Sequence, residues 1–449
     1  MRVSTSQIYD MGSANIQRNQ SAVLKTYNQI SAGTRILTPS DDPVGAAQAL
    51  LVTQSKTINE EYVTNQGSAT SQLGLVDSQL SALVDALQSV RSRVVSSGNT
   101  TLTANDRASI ATDIEASYNQ ILSIANSDNG SGDFLFSGYQ GSTRPFAVDA
   151  SQSASSPATT SPVAYYGDDG ERLLQVSSSR QMEVSVSGSD VFMNVPNGNG
   201  TFVTSTGGNL SQPPVLPATV NNLGSATVDA GSVLDSGKWT AAGGSGKDFM
   251  VQFSVTTSAT GETSTTYQIY DTSDAANPVA LLATPLSYTS GQSIAIQDTS
   301  VVPTVDYGAS IVVQGQPSDG DSLTVSPSTN QSIFQTLQNL LGMLSTDIGT
   351  TTYTATQYSN DLAEQLTAID QAINSVGQVQ STVGTREREV DTLSGVSSDL
   401  AIQYSTTLSN LQDLDYNKAL TDYSKQQVSL QAAQQAFVKI SGMSLFDYL

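Results

Sequence analysis

Apolar positions along this chain change their period twice. From Gln72 to about Val95, Leu73, Leu80, Leu87 and Val94 hold one position of a seven-residue repeat, and Val76, Leu83 and Val90 hold the other. On the far side of the chain Leu362, Ile369, Val376, Val383 and Val390 also stand seven apart, with Leu366 and Ile373 between them. Three or more heptads in each run predict long helices packed in coiled-coil fashion. Nearer the start, Tyr9, Ile16, Val23 and Ile30 repeat the same spacing. Towards the end, Leu408, Leu411, Ala419, Tyr423, Leu430, Ala433, Phe437 and Ile440 recur at steps of three to four, or sums of them. That stripe predicts an amphipathic helix continuing through Leu445 and Phe446 to the last residue. Two helical ends of this kind predict that the termini meet each other or further copies of the chain.

Between the helical flanks the period falls to two. Met182, Val184 and Val186 alternate with polar residues, as do Phe249, Val251, Phe253 and Val255. Ile294 with Ile296, Ile311 with Val313, and Leu323 with Val325 are shorter runs of the same kind, separated by turn residues. This is the pattern of an antiparallel β-domain. Phe134-Leu135-Phe136-Ser137-Gly138 predicts the first arm of a hairpin that returns through Pro145-Phe146-Ala147-Val148. Thr103 is a fitting N-cap for a helix carrying Ile110, Ile114, Tyr118 and Ile121, and Asp41-Asp42-Pro43 for one running through Val44 to Leu51. The helical pattern resumes at Ser332 with Ile333, Phe334, Leu337 and Leu340.

The expected fold is therefore α+β, a long antiparallel coiled-coil core drawn from both termini with an inserted antiparallel β-domain. Residues 1–40 and 405–449 are expected as terminal helices of an inner coiled coil, and 41–150 with 330–404 as a helical bundle core with the β-hairpin. Residues 151–329 are expected as an exposed β-rich domain of one or two subdomains.

Composition narrows the chemistry. The chain has 449 residues with 18 Lys+Arg against 40 Asp+Glu, a formal charge of −22. Binding nucleic acid requires cations to neutralise phosphates, so that balance speaks against it. There is no Cys and no His, which removes thiol nucleophiles, disulfides, Cys/His zinc sites and the usual base near neutral pH. No stretch reaches the roughly 20 apolar residues of a membrane span, and the first residues lack the apolar core of a secretory signal. No catalytic, cofactor-binding or metal site is expected. Gly243-Gly244-Ser245-Gly246-Lys247-Asp248 has Ala241 and Asp248 where a phosphate-binding loop needs Gly and Ser or Thr. Asp128 to Asp133 lacks the side-chain oxygens that a calcium loop needs at its third and fifth positions. The pairs Asp168-Asp169 and Asp319-Gly320-Asp321 have no basic partner nearby in sequence and are expected as solvated turns.

Ile30-Ser31-Ala32-Gly33-Thr34-Arg35-Ile36-Leu37-Thr38-Pro39-Ser40-Asp41-Asp42-Pro43-Val44-Gly45-Ala46 resembles the N-terminal signature of the flagellin superfamily. Within it Gly33, Arg35, Asp41, Asp42 and Pro43 form the family loop. The Thr-Pro-Ser-Asp-Asp-Pro form is more similar to the hook-associated branch than to flagellin itself. Met1-Arg2-Val3-Ser4-Thr5, the Phe134–Gly138 segment with Pro145-Phe146, and Leu411 to Leu449 resemble the same family. So does Gly315-Gln316-Pro317-Ser318-Asp319-Gly320-Asp321.

The resemblance implies a non-enzymatic structural protein at the junction of hook and filament, outside the cell on the bacterial flagellum. It implies export by the flagellar type III apparatus without a cleaved signal, aided by an export chaperone on the C-terminal helix. The implied partners are the chain itself in a ring-like homo-oligomer, hook-associated protein 1 and flagellin, with no nucleic acid and no membrane insertion. The inner helices would supply the assembly interface through Tyr9, Ile16, Val23, Ile30, Leu411, Tyr423, Leu430, Phe437, Ile440, Leu445 and Phe446. Leu73, Leu80, Leu87, Leu362, Leu366, Ile369, Ile373 and Val376 would form the helical core. Flagellin, the bulk filament subunit, is the alternative.

Overall fold

A computed structural model describes residues 5–99, 101–148, 162–218, 220–259, 261–350 and 353–442. The helices are α1 (Thr5–Ala32), α2 (Pro43–Ser97), α3 (Ala104–Ala125), α4 (Ser236–Ala241), α5 (Ile333–Ser345), α6 (Ala355–Gln412) and α7 (Tyr416–Gly442). The early strands are β1 (Phe146–Val148), β2 (Val163–Tyr165), β3 (Leu173–Ser177), β4 (Arg180–Glu183), β5 (Val195–Pro196) and β6 (Phe202–Asn209). Next come β7 (Thr227–Val228), β8 (Ser232–Val233), β9 (Phe249–Thr257), β10 (Thr263–Asp271), β11 (Val279–Ala280) and β12 (Leu286–Ser287). The last are β13 (Ser293–Asp298), β14 (Val305–Gln314), β15 (Asp321–Pro327) and β16 (Asn330–Gln331). Among the described residues no helix is long and apolar enough to cross a membrane.

The chain divides into two compact units. One comprises Met1–Ser68, Gln175–Arg180 and Val390–Leu449, the other Ala69–Leu174 and Gln181–Glu389.

In the second unit α2 and α6 lie antiparallel. Gln380 donates to Asp77 and Ser81, Arg91 pairs with Asp370 at 2.5 Å, and the Tyr358 hydroxyl donates to the Ser97 carbonyl. The seven-residue stripe of α2 is buried throughout, with Leu73, Val76, Leu80, Leu83, Leu87, Val90 and Val94 inaccessible to solvent. On α6 the buried apolar positions of this unit are Tyr358, Ala368, Ile369, Ala372, Val376 and Val383, while Leu362, Leu366 and Ile373 are half-buried. Small side chains thus fill the places between the heptad positions. Helix α3 starts with a reciprocal cap, in which Asp106 N–H donates to the Thr103 hydroxyl and Thr103 N–H to the Asp106 carboxylate.

The expected hairpin is replaced by a different pairing. Strand β1 pairs antiparallel with β2, not with residues 134–138. Phe134 to Gly141 instead closes as a turn, with Phe134 N–H donating to the Gly141 carbonyl and Gly138 at φ +68°. Leu135 and Phe136 are both buried, which an alternating strand with one wet face does not allow. Phe136, Phe146, Phe192 and Phe334 form an aromatic cluster with ring centroids 5.1–5.9 Å apart, joined by Tyr118 from α3 and Tyr165 from β2. The start of the expected β-rich segment therefore packs with α3 and α5.

The β-domain proper begins at β6. One sheet has the order β11-β10-β9-β15-β6 with β12 also on β10, and the other β13-β14-β7 with β8 on β14, all antiparallel. Ile269, Val251 and Leu323 lie side by side across the first sheet. They share one core with Phe249, Phe253, Ile294, Ile296, Ile311, Val313 and the single tryptophan, Trp239. Alternation read from the sequence thus marks the inner faces of two sheets.

Of the two acidic pairs, Asp169 and Asp319 are exposed, as expected of solvated turns, whereas Asp168 is half-buried and Asp321 is buried. Asp321 is buried and its carboxylate accepts from the Leu223, Gly224 and Ser318 N–H groups and from the Asn209 side chain, each at 2.8–2.9 Å. Asp319 accepts from Val255 N–H, and Asp168 from Tyr139 and Gly170 N–H. Asp168, Asp319 and Asp321 each hold at least one backbone N–H from a segment distant in sequence, Tyr139, Val255 and Leu223 respectively. Lys247 of the glycine-rich turn is paired with Asp271 at 2.6 Å and so is not free for phosphate.

Candidate assembly interface

The first unit is built on two helix pairs and the turns that join them. Helix α1 runs antiparallel to α7. Tyr9 meets Phe437 edge to face at 5.6 Å, Thr26 donates to Gln426 at 2.9 Å, and Tyr27 faces Tyr423 at 6.4 Å. Ile16, Val23, Ile30, Leu411, Tyr423, Leu430 and Phe437 are half-buried, and Tyr9 is exposed. Ile440 lies in the last turn of α7, whereas Leu445 and Phe446 lie outside the described residues. Sequence periodicity missed Thr26, which is buried although polar, because its hydroxyl is satisfied by Ala22 O and by Gln426. It also missed Gly12, whose face carries the Phe437 ring.

A second pair, α2 and α6, is stitched in this unit by polar side chains. Buried Asn59 donates to the Ser397 carbonyl, and buried Gln66 donates to the Ser397 hydroxyl and the Val176 carbonyl.

Where the expected C-terminal helix was continuous, the structure has a break at residues 413–415 between α6 and α7. The family loop locks onto this break. Gly33 adopts φ +71°, a left-handed conformation that ends α1 at little steric cost. Its carbonyl accepts from Leu414 N–H, and Arg35 N–H donates to Gln412 O at 2.7 Å. The Arg35 guanidinium donates to Leu411 O at 2.9 Å and pairs with Asp42 at 3.1 Å. Asp42 caps α2 by accepting from Gly45 N–H, ahead of Pro43 at the first helical position. Asp41 accepts from Leu37 and Thr38 N–H and pairs with Lys25 at 2.8 Å. The Arg35 and Asp41 contacts required tertiary placement and had no signal beyond the motif itself.

The Lys25 ammonium above all, then the Thr38 amide, draws the Asp41 carboxyl down to about 2. The Gly45 amide and the Arg35 guanidinium lower Asp42 as well. A lowered carboxyl takes up its proton later on acidification in the folded chain than in the unfolded one. Its contribution is complete above about pH 4 and disappears as the pH falls to about 2. Amide exchange at Leu37 and Thr38 is expected to accelerate across that window, and an Asp41→Asn chain to lose this pH dependence. Equal pH dependence in both chains would contradict the assignment.

A single α1–α7 pair leaves much apolar surface uncovered. Met11, Leu24, Tyr27, Leu420, Val428 and Val438 are all more than half exposed. Large exposed apolar side chains repeated along both helices make this pair a candidate protein–protein contact surface. A Cβ on Gly12 would stand 2.5 Å from the Phe437 ring. Gly12→Val is therefore expected to push α1 from α7 and to cost about 1–3 kcal/mol by overpacking. Amide exchange along residues 9–20 reads this directly, and unchanged protection would refute the pairing.

Residues 3–141 match the N-terminal helical region of bacterial flagellin and residues 366–449 its C-terminal helical region, so the chain belongs to the flagellin superfamily. Within it, the chain is similar from end to end to Flagellar hook-associated protein 3 of Salmonella typhimurium strain LT2. The two are 25% identical over 447 residues, covering 100% of this chain and 99% of the relative. The protein of that name from Escherichia coli K12 is 24% identical over 450 residues, with 100% and 99% covered. The crystal structure of the flagellar junction protein FlgL from Legionella pneumophila superposes with a TM-score of 0.65 at 26% identity, covering 82% of this chain and all of that one.

Proposed function

We propose that this chain is a structural junction subunit of the bacterial flagellum, polymerising between hook-associated protein 1 and flagellin to connect hook and filament. It works by shape and adhesion, with no catalytic step. The observation that carries this reading is the full-length similarity to hook-associated protein 3, joined to a helix pair whose apolar surface is left uncovered in one chain. Neighbouring copies in a ring would cover that surface. Tyr9, Ile16, Val23, Ile30, Leu411, Tyr423, Leu430, Phe437, Ile440, Leu445 and Phe446 supply the inner contacts. The chain reaches the outside through the flagellar type III apparatus, with a chaperone holding the C-terminal helix until export.

Deleting the gene is expected to give cells that secrete flagellin into the medium and carry hooks without filaments, with immunogold label in the parent confined to the hook–filament boundary. Label along the whole filament would support the bulk filament subunit instead.

A further inference from the structure

The β-domain is rooted on the first turns of α6. Buried Asn360 accepts from Val228 N–H at 3.0 Å and donates to the Ala226 carbonyl at 3.2 Å, and Gln357 donates to the Thr206 hydroxyl at 3.2 Å. One turn beyond Asn360, on the same helix face, stands Glu364. It lines a narrow cleft of about 10 Å³ between α6 and the root strands β6 and β7, at the lower limit for one water. From the strand side the cleft is lined by Thr204, Thr206 and Asp229, and from the helix side by Asn360, Asp361 and Glu364.

Three carboxylates thus face one small space, and no cation is among its lining residues. Two of them are engaged. Asp229 accepts from Gly231 and Val312 N–H, and Asp361 from the Tyr353 hydroxyl at 2.8 Å. Glu364 has no hydrogen-bond donor among the described residues. Glu364 is half-buried, so its ionised carboxylate has only partial access to water and has the Asp361 charge beside it, a costly combination that a neutral carboxylic acid avoids.

We propose that this cleft is a proton-operated joint: while Glu364 carries a proton the β-domain root stays seated on α6, and ionisation of Glu364 unseats it. Burial first, and the neighbouring Asp361 charge second, push the Glu364 carboxyl up to about 7. Burial also raises Asp361, with the Tyr353 hydrogen bond opposing, and Tyr353 is raised by burial and by Asp361. A raised carboxyl contributes its stabilisation fully below the ordinary glutamate value of 4.5, and loses it as the pH rises through about 7. The open population is then expected to grow by up to about tenfold per pH unit across that interval, and to level off above it.

The test is amide exchange of the full-length chain from pH 4.5 to 8.5, with the intrinsic rate divided out. Protection of Val228, whose N–H is held by Asn360, is expected to fall at least about tenfold in the wild-type chain and to stay flat in Glu364→Gln. Val251, in the middle of β9, should hold its protection in both. In Asp361→Asn the midpoint of the Val228 change should move to lower pH. A flat wild-type profile, an equal fall in Glu364→Gln, or an equal loss at Val251 overturns the joint. Should Glu364→Gln not fold, the Asp361→Asn midpoint decides, and an unmoved midpoint overturns it.

Discussion

Val376→Asp is expected to destabilise the chain by more than about 4 kcal/mol, the upper range for a single substitution, because it places a carboxylate where no partner exists. Val376 is wholly buried on α6 between the Gln380–Asp77 and Arg91–Asp370 contacts that hold α2 alongside. The new carboxyl there must either stay protonated or, once ionised, force the two helices apart. Leu366→Asp provides the contrast. Leu366 is half-buried, so its new carboxylate can reach water, and about 1–2 kcal/mol is expected from lost apolar contact. Urea unfolding followed by circular dichroism separates the two, and equal midpoints would show that the seam between α2 and α6 is not where burial places it. In cells, the Val376→Asp chain should fail to support filament growth while flagellin accumulates outside.

Phe334→Ala is expected to cost about 3–5 kcal/mol. Its ring is fully buried, stacked on Phe192 at 5.9 Å and flanked by Phe146 and Tyr118. Removal leaves a cavity bordered by three rings that belong to different elements and cannot all collapse inward. It also forfeits ring–ring contacts that add to area burial. The loss should appear as a lowered urea midpoint with an unchanged slope. A cost under about 1 kcal/mol would mean that the cluster repacks freely, contrary to a close-packed core.

These contrasts show what the sequence carried and what it did not. Leu73 to Val94 was legible because one residue class occupies both heptad positions of α2. On α6 the large residues Leu366 and Ile373 drew attention, yet the helix meets its neighbours more deeply at Ala368 and Ala372. Periodicity weights size, and close helix approach needs the reverse. The strand pattern at Phe249, Val251 and Phe253 was legible, since the inner face of a sheet is set by alternation alone. Leu135-Phe136 misled because a turn can bury two consecutive side chains. Asp321 was opaque because its donors come from residues 209, 223, 224 and 318. At the assembly surface the apolar faces were visible in spacing. The knot of Arg35, Asp42, Leu411 and Gln412 was not, because nearly 380 residues separate its halves.

That knot has a mechanical consequence. Helix α1 passes into α2 through residues 33–42, and α6 into α7 through 413–415, with the two crossings tied side by side at Gly33, Arg35, Gln412 and Leu414. Neither terminal helix can swing on its own crossing without straining the other. Tension applied to α7 is shared with α1 before it reaches either long helix, so the pair bears load as one strut with two legs.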